Sequence, residues 1–157
     1  MKFRLHRLSG LAGCHRGNMM IEFAIGSGVL IAAFTGTFQF GYTFYQYNVL
    51  KNGVSDGAKY AALRPYDSSS ATPSTAFDTA VKNMVVYGDP GGGTNPITPG
   101  LALSNVSLVP IFTNSVPTAM KVSITGFTIN AVFKSTTFTN KPSVTYPYQG
   151  IFSPPAP

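Results

Sequence analysis

His15-Arg16-Gly17-Asn18-Met19-Met20-Ile21-Glu22-Phe23 opens the apolar run around which the rest of this chain is arranged. Between Arg16 and Lys51 the only formally charged side chain is Glu22, at the very start of that run. From Phe23 to Phe44 there are 22 residues. As a helix rising 1.5 Å per residue they extend about 33 Å, enough to cross a hydrocarbon core of roughly 30 Å. No proline interrupts them, because all twelve prolines lie at Pro65 or later. An acid carried on such a segment costs on the order of 2.5–3.5 kcal/mol at mid-membrane depth and less near the interface. Glu22 therefore calls for a partner.

A basic leader, a glycine, four residues, then Glu-Phe and a long apolar helix is the layout of class III signal peptides. A membrane-embedded prepilin peptidase cuts these after the glycine, on the cytoplasmic side. On that layout the cut is expected between Gly17 and Asn18, which would make Glu22 the fifth residue of the mature chain. The details resemble the TadE-like pseudopilins of tight-adherence (Flp-type) pilus systems, with a leader ending in Arg16-Gly17 and an Ile21-Glu22-Phe23-Ala24 core. Further on, Gly57-Ala58-Lys59-Tyr60-Ala61-Ala62 is similar to the Gly-Ala-Arg-x-Ala segment that ends the long helix in that family, with Lys59 in place of Arg. The resemblance spans residues 16–63 and is loose beyond them. It implies a minor membrane subunit for pilus assembly. Its implied partners are the prepilin peptidase, other pilins and pseudopilins, the assembly machinery and membrane lipid. It also implies that Glu22 and Phe23 serve assembly, since in the wider pilin family this glutamate pairs with the freed amino terminus of a neighbouring subunit. One alternative is a secretion-system pseudopilin, but those show Phe-Thr-Leu before the glutamate where this chain has Asn18-Met19-Met20-Ile21. Another is an uncleaved, signal-anchored surface or ligand-binding protein.

Charge and cysteine usage narrow the function classes. The net charge is +6, yet residues 1–17 carry Lys2, Arg4, Arg7 and Arg16 without an acid, leaving seven basic against five acidic residues elsewhere. The excess belongs to the leader and reads as positive-inside topology. It is no nucleic-acid footprint. Cys14, His6 and His15 are the only residues of their types, and all three precede the cut. A mature chain from Asn18 has no cysteine or histidine for the usual zinc sites or nucleophile pairs, so an enzyme, a metal and a cofactor are not expected. Leu11-Ala12-Gly13-Cys14 spells a lipobox, but only six residues separate Arg7 from Cys14 and the apolar run lies on the wrong side.

Within the run, Ala24, Gly28, Ala32 and Gly36 recur every four residues, a stripe of small side chains on one helix face that suits close packing of a neighbouring helix. Phe38, Phe40, Tyr42, Phe44, Tyr45 and Tyr47 then crowd one end, with Lys51 just beyond. Tyrosines of this kind suit a membrane–water boundary. The expected location is a bacterial inner membrane, crossed once, with the leader cytoplasmic and the remainder exported.

Past the membrane the helix is expected to run to about Leu63, with Leu50, Val54, Ala58 and Ala61 or Ala62 on one face. Arg64-Pro65 ends it, and residues 66–74 read as a linker. A second helix fits Thr75 to Tyr87, with Thr75 and Asp78 resembling a capping box, Phe77, Val81 and Met84 or Val85 facing inward, and Gly88 as the stop. Gly88 to Gly100 reads as a flexible connection. Strands are expected over Leu103–Phe112, Thr118–Ile129 with a bulge at Gly126, Ala131–Phe138, and an edge strand Val144–Tyr148. Asn140-Lys141-Pro142 supplies a turn, and 153–157 a frayed tail. The expected organisation is a leader at 1–17, a long helix at 18–63 spanning the membrane in its first half, and an exported head at 64–157. The fold class is α+β, a long helix followed by a small head with one helix and an antiparallel sheet of about three strands.

Overall fold

A computed structural model describes residues 15–130 and 135–153. The charged leader with His6 and Cys14, the start of the strand expected from Ala131, and the tail beyond Ser153 lie outside the described residues. The chain divides into two compact units, Met1–Phe38 and Gln39–Pro157. The second takes in residues 39–63 as well as the expected head.

Helix α1 (His15–Leu63) is 49 residues long. Freedom from proline allows this length, and the amide of Arg64, bonded to the Tyr60 carbonyl at 3.0 Å, closes it just before Pro65. Its last turns carry Leu50, Val54, Ala58, Ala61 and Ala62 into the core, the face that helical spacing selects.

Helix α2 (Thr75–Tyr87) has the bounds that its apolar period sets. Its N-cap, however, is Ser74 rather than Thr75. The Ser74 backbone is extended (φ −61°, ψ 154°), and its side-chain hydroxyl accepts the Phe77 amide at 3.1 Å. Asp78 closes no capping box; its carboxylate pairs with Lys82 one turn on, at 2.7 Å. Gly88 ends the helix in the left-handed conformation (φ 74°), donating its amide to the Met84 carbonyl. Phe77, Ala80, Val81, Val85 and Val86 are buried. Two glycines of α1 admit α2. A β-carbon at Gly53 would overlap Ile97 and come within 2.9 Å of the Val85 carbonyl, and one at Gly57 would overlap Val85.

The strands form two sheets rather than one. Strands β1 (Val106–Thr113), β2 (Val116–Ile124) and β5 (Ser143–Pro147) make a three-stranded antiparallel sheet in the order β1-β2-β5; β3 (Phe127–Asn130) and β4 (Ser135–Phe138) pair separately. A 3-10 turn, Leu103–Asn105, occupies the start of the first expected strand. Asn114 and Ser115, both at positive φ (52° and 63°), make the β1–β2 hairpin, a conformation matching the twist of the flanking strands. Met120, Val122 and Ile124 are buried along β2 while Lys121 is exposed. Gly126 (φ 70°) is more than a bulge: there the chain leaves the first sheet for the second, and the inward parity moves to Phe127 and Ile129. Pro110 lies in an edge strand, β1, where a missing N–H is tolerated. The Lys141–Pro142 peptide is cis, in the expected turn.

Residues 66–74 do more than connect. Tyr66 is fully buried and is the centre of an aromatic cluster, with ring centroids of Phe77 at 5.1 Å, Phe112 at 5.6 Å, Phe152 at 6.4 Å and Tyr148 at 6.5 Å. Its backbone is bridged to the end of the chain: the Tyr66 amide donates to the Ile151 carbonyl (2.9 Å) and the Ser153 amide to the Tyr66 carbonyl (3.0 Å). The loop after α2 is likewise tied down. The Gly91 amide donates to Asp89 Oδ1 at 2.7 Å, and Asn83 Nδ2 to the Pro90 carbonyl at 3.3 Å.

Candidate functional site

The first turns of α1 hold the residues singled out for processing and assembly. Gly17, Asn18, Glu22 and Phe23 all lie on the helix and are exposed. Residues 18 and 22 are one turn apart, so their side chains fall on the same face. Asn18 Nδ2 donates to Glu22 Oε1 at 3.3 Å, which satisfies one oxygen of the only acid in the apolar segment. A β-carbon at Gly17 would meet no heavy atom within 4 Å, so folding places no demand for glycine there.

Beyond Glu22 the helix surface is apolar and uncovered. Phe23 is 77 % exposed, and Ile25, Val29, Leu30, Ile31, Phe34 and Phe38 are exposed with it. This is the one helix among the described residues long and apolar enough to cross a membrane. So much contiguous apolar surface marks a site of membrane or partner contact. Its polar side chains turn back onto the helix: Ser27, Thr35 and Thr37 donate to the carbonyls of Ala24, Ile31 and Ala33 at 2.8–3.0 Å, which removes their unmet hydrogen-bonding demand. Ala24, Gly28, Ala32 and Gly36 are all exposed, and β-carbons at Gly28 and Gly36 would touch nothing within 4 Å.

The second singled-out segment, Gly57 to Ala62, lies in the head's core. Gly57, Ala58, Ala61 and Ala62 are buried, whereas Lys59 is exposed, 3.5 Å from Asp56 Oδ1 and 6.0 Å above the Tyr146 ring. Small residues are needed there because α2 approaches. Gly53 serves the same contact and escaped the sequence reading; its signal was the four-residue spacing to Gly57. Just after the helix, the Tyr148 hydroxyl accepts the Tyr66 amide (2.8 Å) and lies within donating distance of the Ile151 (2.8 Å) and Arg64 (3.1 Å) carbonyls. Burial raises the Tyr66 and Tyr148 hydroxyls above the ordinary tyrosine range.

Residues 17–59 match the model of a family described as TadE-like protein. The matched stretch opens on Gly17, includes Glu22, Phe23 and the small-residue stripe, and closes on Lys59 of the second segment. It is the family that the leader and these two segments resemble. No curated protein and no solved structure matches the chain.

Proposed function

From that match over α1, we propose that the chain is a minor, non-enzymatic membrane subunit for assembly of a tight-adherence pilus, matured by a prepilin peptidase that cuts between Gly17 and Asn18. The observation that carries this reading is the alignment of the family match with the uncovered apolar helix. The matched residues begin at Gly17, where the peptidase would cut, and take in the apolar surface of α1 that no other described residue covers. The positive leader and the tyrosines at 42, 45 and 47 support a cytoplasmic N-terminus and an exported head in the inner membrane.

In this reading Glu22 is the assembly contact. Cleavage creates an amino group on Asn18, one turn from a carboxylate that already bonds the Asn18 side chain. The ammonium can pair with Glu22 of the same chain or of a neighbouring subunit, and either pairing relieves the cost of an acid at the edge of the bilayer. The peptidase, the other pilins and the assembly machinery are the partners this requires. The test uses Glu22→Gln, which keeps shape, and Glu22→Val, which also removes polarity. Both variants should insert and be cut, yet fail to co-purify with pilus components. Normal piliation in a strain whose only copy is Glu22→Val would contradict the assignment.

A further inference from the structure

Where α1 passes the loop at 98–99 and strand β3, a recess of about 200 Å³ opens, lined by Tyr42, Gln46, Thr98, Phe127, Thr128 and Asn130 among others. Gln46 and Thr98 are 6 % and 2 % exposed, and Gln46 Oε1 and Thr98 Oγ1 have no hydrogen-bond partner among the described residues. Buried polar atoms are seldom left so, because each forfeits its bond to water without a replacement. Turning the Gln46 amide over does not cure this. Gln46 Nε2 donates to the Tyr42 hydroxyl at 3.0 Å, so the flipped amide would only exchange an orphaned acceptor for an orphaned donor. The recess therefore asks for an occupant that brings its own hydrogen-bonding groups.

The wall states what kind. An acceptor, Gln46 Oε1, requires a donor, and the Thr98 hydroxyl takes either role. Among the described lining residues none carries a formal charge, so against them an ammonium would find no carboxylate and a phosphate no cation. Hydroxyl groups, which donate and accept and remain neutral, satisfy the wall. The volume holds about six waters at roughly 30 Å³ each, space for glycerol or a single sugar ring. Neither orphaned oxygen is open to a water-sized probe, from bulk solvent or from the recess, so an occupant reaches them only with a shift of the wall. Tyr42, 40 % exposed, is the wall residue whose hydroxyl accepts from Gln46 Nε2.

We propose that this recess binds an uncharged polyhydroxyl group, glycerol or a single sugar, carried by a lipid headgroup or free in solution. The lipid source rests on the membrane reading above. Tyr42 lies near the end of the apolar run, among the tyrosines suited to headgroup depth.

The full chain in dodecylphosphocholine micelles, labelled with ¹⁵N-glutamine, reports occupancy through the Gln46 side-chain amide, assigned with Gln46→Leu. Octyl glucoside or monoolein should shift that signal saturably, and lysophosphatidylcholine should not. Saturation by free glucose or glycerol as well makes a soluble polyol sufficient; saturation only by the acylated forms makes a lipid the source. Thr98→Val should weaken binding by about 2- to 10-fold, the loss of one hydrogen bond, and Thr98→Ser should restore it. Absence of a saturable shift with every polyol means that ordered water alone fills the recess, and overturns the proposal. An equal response to lysophosphatidylcholine, or unchanged binding by a folded Thr98→Val, overturns it too. The probe series needs no variant, and it is read on purified protein, so its outcome is independent of whether the strain assembles pili.

Discussion

Gly57 of α1 lies so close to Val85 of α2 that a β-carbon at position 57 would overlap the valine's Cγ2 atom. The contact is between two helices of the head, and its tightness is what the second family-like segment encodes. Gly57→Ala should therefore lower head stability by about 1–3 kcal/mol, the usual cost of overpacking a core. Gly28→Ala, where an added methyl meets nothing, is the matched control. Thermal unfolding followed by near-ultraviolet circular dichroism should show a lowered midpoint for the first and an unchanged one for the second.

Tyr148 holds the end of the chain against the end of α1 through a single hydroxyl. Tyr148→Phe removes the acceptor of the buried Tyr66 amide's second bond and the one hydroxyl proton within reach of the Ile151 and Arg64 carbonyls. Loss of about 1–2 kcal/mol is expected. Limited proteolysis should cut the last residues faster in the variant; equal rates would mean that the bridge between Tyr66 and the 151–153 backbone suffices.

The same hydroxyls make the head sensitive to alkali. Burial raises the Tyr66 and Tyr148 pKa values above 10, the value they regain on unfolding. The folded state thus holds these protons more tightly. Their contribution to stability is complete below pH 10 and is lost as pH rises through the higher folded values. Urea midpoints should fall from pH 9 to pH 11.5, and less steeply in Tyr148→Phe. Parallel curves for the two proteins would refute this cause.

Ser74, not its neighbour, caps α2. Ser74→Ala should cost about 1 kcal/mol, while Thr75→Ala, an exposed position inside the helix, should change the midpoint little. The reverse order would place the cap at Thr75.

Much of this architecture is legible in the residues, and the failures have physical causes. The extent of α2 and the inward face of α1 follow from apolar period, Gly88 and Arg64-Pro65, signals that act within a few residues. The cap shifts by one because two adjacent hydroxyl residues offer the same chemistry, and only backbone geometry separates them. Tyr66 sits in a polar, serine-rich stretch with no periodic partner. Its burial comes from Phe77, Phe112, Tyr148 and Phe152, residues that only the fold assembles. The β1–β2 turn carries Asn114-Ser115 instead of the stronger Asn-Gly signal, and Gly126 announces an irregularity without saying that the chain changes sheets. At the candidate site, Gly17, Asn18, Glu22 and Phe23 are readable because their spacing is local. The recess at Gln46 and Thr98 is not, since it joins residues about fifty positions apart.

The intact mass of the protein extracted from membranes tests the central claim most directly. The account predicts a parent protein lighter by residues 1–17, and the uncut mass when Gly17 is replaced by a bulky residue such as Gly17→Leu. Such a side chain fits the open helix surface, so misfolding would not explain a block. A parent protein that retains residues 1–17, or a Gly17→Leu variant that still begins at Asn18, would contradict it.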